Sequence, residues 1–221
     1  MIKLEHTVLP SPEQMQFVIE GMRNPMNSWD KSDSYENFEV DYDKETGAEV
    51  HYSYYRVGAD DISLMKCLSK AGTDHRKFMR MMPVYVRITA PLYWWKEFDT
   101  YKVGTVGNSC STMHKIHAKE FTLEDFSCEH LYCGFKEHLE ETIRFLNSAR
   151  NKFLETKDKK YWWQMIQLLP SSYNQTRNVM LNYEVLFNIY HSRKNHKLDE
   201  WIEFCKWIKT LPYSELITQE G

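Results

Sequence analysis

The sequence predicts an α/β fold, in the broad α+β sense, organised around one sizeable core. Within Phe78–Thr89, Val84, Val86 and Ile88 alternate strictly with other residues, as in a half-buried strand. Within Leu131–Leu154, Leu139, Ile143, Leu146, Arg150 and Leu154 recur at helical spacing. Hydrophobic residues make up 42% of 221 positions, enough for one core or one core with a small appendage.

The remaining elements follow in order. Pro12–Met22 reads as a short helix, because Ser11 can cap it and Met15, Val18, Ile19 and Met22 recur at helical spacing. Asn24–Ala48 is polar and reads as a surface loop, with a short strand near Phe38–Val40. The tyrosines of His51–Val57 suit a strand. Asp60–Lys70 reads as a helix with two acids at its positive end and Ile62, Met65 and Leu68 facing inward. Ala90-Pro91 ends the Val84 strand, Trp94–Lys102 begins as a helix, and the Gly, Ser and Thr of Val103–Ser111 make that stretch irregular. After the long helix and a charged break at Lys157–Lys160, Tyr161–Leu168 is a short helix ended by Pro170. Ser171–Arg177 reads as a polar connection, and Val179–Lys209 as helical with an interruption near Asn195. No internal repeat or long linker marks a second domain, so residues 1–221 are expected to form one.

Composition narrows the function. The 28 Lys and Arg nearly cancel the 31 Asp and Glu, for a net charge of −3. No long-range basic field exists, so a nucleic-acid partner has no compositional support. No apolar run approaches the roughly 18 to 20 residues that span a bilayer. Met1–Ser11 contains Glu5, His6 and Pro10 and no apolar signal core. A soluble, cytoplasmic protein is expected, and an odd number of cysteines without a CxxC fits a reducing compartment. Aromatics are 14% of the chain and could fill a core, line a ring-binding pocket or build a subunit interface.

The C-terminal segment carries the densest polar pattern. Asn182 and Arg193 are eleven residues apart, about three helical turns, so on one helix they share a face at a separation of roughly 16 Å. Glu184 and Asn188, at i and i+4, share another. Either these groups are merely solvated, or the helix lies between subunits and works in two directions.

The spacing Leu169-Pro170, then Asn182-x-x-x-Leu186-x-Asn188, then Arg193, running without a gap to about Trp201, resembles the C-terminal pattern of the flavin-dependent thymidylate synthases (ThyX). In that family the asparagines contact flavin and the arginine holds the substrate phosphate. A bidentate guanidinium suits phosphate, and amides can read a flavin's polar edge. Pro91–His117 is similar in placement to the family's hallmark R-H-R-x-x-S-x-N-E-x-S-x-R-Y. Thr100-Tyr101-Lys102 stands where R-H-R is expected, and the hallmark serine falls at Cys110 or, after a one-residue slip, at Ser111. The chain departs from the pattern: Lys102 alone keeps a cation in the triplet, Ile166 replaces an arginine before Leu169-Pro170, and Glu184 reverses a charge. Each charge-assisted phosphate contact is worth roughly 1.5 to 3 kcal/mol, so Arg80, Arg87, Lys96 and Arg177 become candidate replacements, or the ligand differs. Ala71–His75 matches a third family stretch only in position and glycine.

The resemblance reaches from about Asp60 onward and leaves 1–59 as a divergent N-terminal part. It implies an antiparallel sheet flanked by helices, a homotetramer with ligand sites between subunits, and reductive methylation of dUMP to dTMP with FAD, NADPH and methylenetetrahydrofolate. It places Ser109 or Ser111 at the uracil as the catalytic positions, gives Arg193, Lys102 and Glu97 to the nucleotide substrate, and gives Asn182, Asn188, Tyr101, Glu184 and His75 to FAD. It also allows a non-catalytic homologue that binds another nucleotide or a protein partner. Other constellations are weaker. Cys110, His114 and His117 would bring metal ligands together only on a helix, which Gly104 and Gly107 oppose. Cys110 beside His114 lacks an orienting carboxylate. Trp94-Trp95 and Trp162-Trp163 suit core or interface packing better than stacking on a ligand.

Overall fold

The computed structural model describes residues 1–219. In chain order the elements are β1 (Lys3–Val8), α1 (Pro12–Arg23), β2 (Tyr35–Tyr42), β3 (Glu49–Arg56), α2 (Ala59–Lys70), β4 (Pro83–Pro91), α3 (Leu92–Phe98) and β5 (Val106–Ser109). Then come α4 (Cys133–Thr156), α5 (Lys159–Leu168), β6 (Asn174–Asn182), α6 (Tyr183–Arg193), α7 (Asp199–Thr210) and α8 (Glu215–Thr218). A 3-10 turn, Arg76–Met81, leads into β4. One antiparallel sheet has the order β1-β4-β6-β5, and β2 and β3 form a separate hairpin.

The sheet's centre is the β4–β6 pair, in register from Pro83 opposite Asn182 to Pro91 opposite Asn174. Alternation puts Val84, Val86, Ile88 and Ala90 on the covered face, opposite Leu181, Val179, Arg177 and Gln175. Trp94, Trp95 and Phe98 of α3, Leu186 and Ile189 of α6, and Trp201 and Phe204 of α7 pack over that face. Trp94 is fully buried, with ring centroids of Trp201 at 4.7 Å, Trp95 at 4.9 Å and Phe98 at 5.0 Å. On the other face Tyr85, Arg87 and Asn178 are exposed. A second hydrophobic cluster joins α4 and α5 to the segment before them, through Leu139, Ile143, Leu146 and Met165 against Ile116, Phe121 and Phe126.

Most helices match their hydrophobic period, including the break between α6 and α7 at the expected place. The strands differ more. Ser171–Arg177 and the start of Val179–Lys209 are not a connection and a helix, because Asn174–Asn182 is β6, paired on both edges. Val103–Ser111 is not irregular throughout, since Val106–Ser109 adds to β6 as β5. β2 is longer than expected, β1 was not foreseen, and Phe78–Met81 belongs to the 3-10 turn rather than to a strand. For β1, β5 and β6 long-range pairing overrides weak local preference.

The polar stretch after α1 is anchored through Asp61, which is fully buried and accepts from Arg23 at 2.6 Å and from the hydroxyls of Ser32 and Ser34. Asp33 accepts from the backbone N–H groups of Asp60 and Asp61 in the first turn of α2.

Several acids of the core resist ionisation. Burial, then a hydrogen bond donated to Glu200, raises Tyr93. Burial, with the nearby Tyr213 and Glu215, raises Tyr183, and burial pushes the Cys205 thiol up to about 11 from its ordinary 9.0. An unfolded chain therefore loses these protons first, and the stability that Cys205 contributes is complete below about pH 9 and is lost as pH rises through about 11. Calorimetric scans should show a melting temperature that falls above pH 9, and Cys205→Ala should flatten the fall between pH 9 and 11.

Candidate functional site

Arg193 is the last residue of α6. Helical side chains lean toward the N-terminus of their helix, which carries this guanidinium back over the α3 exit. There its Nη1 donates to Glu97 Oε2 at 2.9 Å and its Nε to the Tyr101 hydroxyl at 3.0 Å. The Trp201 indole N–H donates to the same Glu97 oxygen at 2.7 Å, and His196 Nε2 lies 3.5 Å from it. The guanidinium carbon sits 4.9 Å from the Trp201 ring centroid. One carboxylate oxygen thus gathers α3, α6, α7 and the loop between the last two.

Next to this knot a cleft of about 190 Å³ opens between the end of α3 and the β5 edge of the sheet. Trp95 and Phe98 form its apolar floor. Trp95 is pinned by its indole N–H, which donates to the Gln175 carbonyl at 3.0 Å. Asp99, Lys102 and Arg177 bring charge to the cleft. Arg177 lies 4.1 Å above the Trp95 ring, pairs with Asp99 at 2.7 Å and donates to Gln175 at 2.9 Å. Thr105 also lines the cleft, and its buried hydroxyl has no hydrogen-bond partner among the described residues, the kind of group a ligand would satisfy. Ser109 pairs with Arg177, and Gly107 with Val179. Period-two geometry then puts Ser109 on the same strand face as Gly107, one step along β5 from the cleft lining. Gly104 has φ +77, and a Cβ there would come within 2.9 Å of the Asn182 amide nitrogen, so the loop from Tyr101 lies directly against the start of α6. A larger apolar cavity of about 320 Å³ lies beside Met15, Tyr55 and Tyr213. No charged side chain lines it, in contrast to the smaller cleft.

No protein-family model matches the sequence, and no curated protein matches it. Solved structures do. Thymidylate synthase X (ThyX) from Helicobacter pylori with FAD and dUMP aligns at a TM-score of 0.66 and 14% identity, covering 99% of this chain and 96% of that one. A second ThyX structure from the same organism, complexed with FAD and dUMP, aligns at 0.65 and 14%, covering 99% and 97%. The UMP/dUMP methylase PolB from Streptomyces cacaoi, bound with 5-Br dUMP, aligns at 0.58 and 14%, covering 100% and 95%. The chain has the ThyX fold.

The ThyX-like residues separate into two groups. Glu97, Tyr101 and Arg193 meet in the knot, Lys102 lines the cleft, and Ser109 pairs with the cleft residue Arg177 on β6. Ser111 builds the turn beyond β5, its hydroxyl accepting from the N–H groups of Met113 and His114. Asn182 does not share a helical face with Arg193: it ends β6 and caps α6, its oxygen accepting from Val185 N at 3.0 Å. Glu184 is buried and paired with Arg76 at 3.4 Å and with Arg80, so Arg80 is not free to replace a lost phosphate contact. Asn188 and His75 are exposed. Of the residues given to FAD, the Asn182 oxygen, the Glu184 carboxylate and the Tyr101 hydroxyl are committed within the chain, so the set does not make a closed flavin site on one copy.

Asp99, Thr105, His196 and Trp201 were not singled out as site residues in the sequence. The Trp95–Asp99 spacing of one helical turn is a faint signal for Asp99; the others become visible only through partners distant in sequence. Replacing Glu97 by Ala should leave the Arg193 guanidinium and the Trp201 N–H without their acceptor, costing about 1 to 3 kcal/mol in urea unfolding. Glu97→Gln keeps an acceptor for Trp201 and should cost less.

Proposed function

We propose that this chain is a ThyX-type enzyme that binds dUMP in the cleft beside Arg193 and methylates its uracil reductively at the 5-carbon. The observation that carries this reading is the cleft itself. It has an aromatic floor, an unpartnered hydroxyl and nearby cations, on a fold shared over nearly the whole chain with structures described as holding dUMP or 5-Br dUMP. Trp95 and Phe98 would lie against the ring, with Thr105 and Ser109 reading its polar edge. Lys102 is the cleft cation without an ion-pair partner among the described residues, and it would take the phosphate, with Arg177 and Arg193 near it. The chain's part is to bind, orient and shield the ring from water. FAD, NADPH and methylenetetrahydrofolate would supply the hydride and the carbon when bound. A flavin would need groups from a neighbouring copy, which a homotetramer provides, and Asn182, Asn188 and His75 are this chain's own offer to it.

Methylation at the 5-carbon must release the hydrogen already there, so the test follows that atom. Protein incubated with FAD, NADPH, methylenetetrahydrofolate and dUMP tritiated at C5 should release tritium to water, and Lys102→Ala should raise KM for dUMP at least tenfold. Protein that takes up FAD, seen by absorbance near 450 nm, yet releases no tritium would overturn the reaction. Protein that binds no dUMP would overturn the site.

A further inference from the structure

Each arginine bordering the cleft already has a carboxylate. Arg177 is paired with Asp99 at 2.7 Å and Arg193 with Glu97 at 2.9 Å. Of the charged groups lining the cleft, Lys102 and Arg177 are positive and Asp99 negative, which leaves one positive charge; the adjacent Glu97–Arg193 pair adds none. A phosphate monoester carries roughly −1.5 to −2 at neutral pH, and each further phosphate adds about one more negative charge. A single net cation can offset much of a monophosphate but little of a di- or triphosphate. Asp99, in the lining, would then face the added charge at short range, with Glu97 behind it in the adjacent knot.

Resting on the dUMP reading above, we propose that Asp99 and Glu97 are specificity-determining residues that cap ligand charge, so that the cleft takes a nucleoside monophosphate and refuses the corresponding di- and triphosphates. The arrangement suits selection better than tight binding. Asp99 turns Arg177 toward itself and holds it over Trp95, and Glu97 does the same to Arg193 with Trp201. Neither guanidinium is free to close on a long phosphate chain without abandoning its carboxylate. Asp99 is half exposed, so its effect is moderate and screened by salt: about fivefold in affinity per added ligand charge at low ionic strength.

The test is a binding matrix by calorimetry at low salt, with deoxyuridine, dUMP, dUDP and dUTP against the full chain, Asp99→Asn, Glu97→Gln and Lys102→Ala. Circular dichroism would confirm that each variant is folded. The wild-type chain should bind dUMP more tightly than dUDP, and dUDP more tightly than dUTP. Asp99→Asn should raise affinity increasingly from dUMP to dUTP, by factors larger than any change in deoxyuridine binding, and Glu97→Gln should shift the series the same way. Lys102→Ala should weaken every phosphorylated ligand. A wild-type chain that binds dUTP as well as dUMP, or carboxylate variants that leave the ratio unchanged, would overturn the charge cap while dUMP binding kept the site reading intact. If no nucleotide binds the wild-type chain or the carboxylate variants, the site reading and the charge cap fall together.

Discussion

The site depends on one oxygen atom, Oε2 of Glu97. It accepts from the Arg193 guanidinium and the Trp201 indole and has the His196 ring nitrogen at its edge. A carboxylate held this way fixes the end of α3 against the end of α6 and the start of α7. Ion pairs near the surface contribute little net stability because desolvation offsets attraction. Their value here is geometric. They set where Tyr101 and the loop after it run, and that loop makes one wall of the cleft.

The same device recurs around the site. Asp99 joins the α3 exit to β6 through Arg177, and Glu184 joins α6 to the turn before β4 through Arg76 and Arg80. Glu184 stands where the family pattern has an arginine, and the chain answers that reversal with two arginines of its own. The guanidinium groups of Arg76, Arg80, Arg177 and Arg193 are therefore satisfied internally, and the cleft presents a nearly neutral wall instead of a field of free cations. The fold is shared with ThyX structures at only 14% identity, so the scaffold is compatible with largely different side chains.

Much of this architecture was legible in the sequence, for physical reasons that also explain the failures. α1, α2, α4 and α5 announce themselves because each has an apolar stripe at helical period and clear punctuation. β6 hides because Asn174, Gln175, Asn178 and Asn182 give it no strong strand preference; it is held by pairing with β4 and β5. β5 hides among glycine and serine for the same reason. At the site, Glu97, Tyr101, Lys102 and Arg193 could be singled out because family spacing points to them. Asn182 was misplaced because a capping residue looks like a helical one when only spacing is counted. Trp201 joins Glu97 across 104 positions of chain and Asp99 joins Arg177 across 78, separations that no local pattern encodes.

The contact between Arg177 and Trp95 has an optical side. The guanidinium lies 4.1 Å from the centre of an indole that is almost wholly buried and forms the cleft floor. Indole emission responds to charge lying over its ring, so anything that enters beneath this arginine, or draws it aside, alters the light the protein gives off. A ligand in the cleft would be reported by the floor it rests on, without a label.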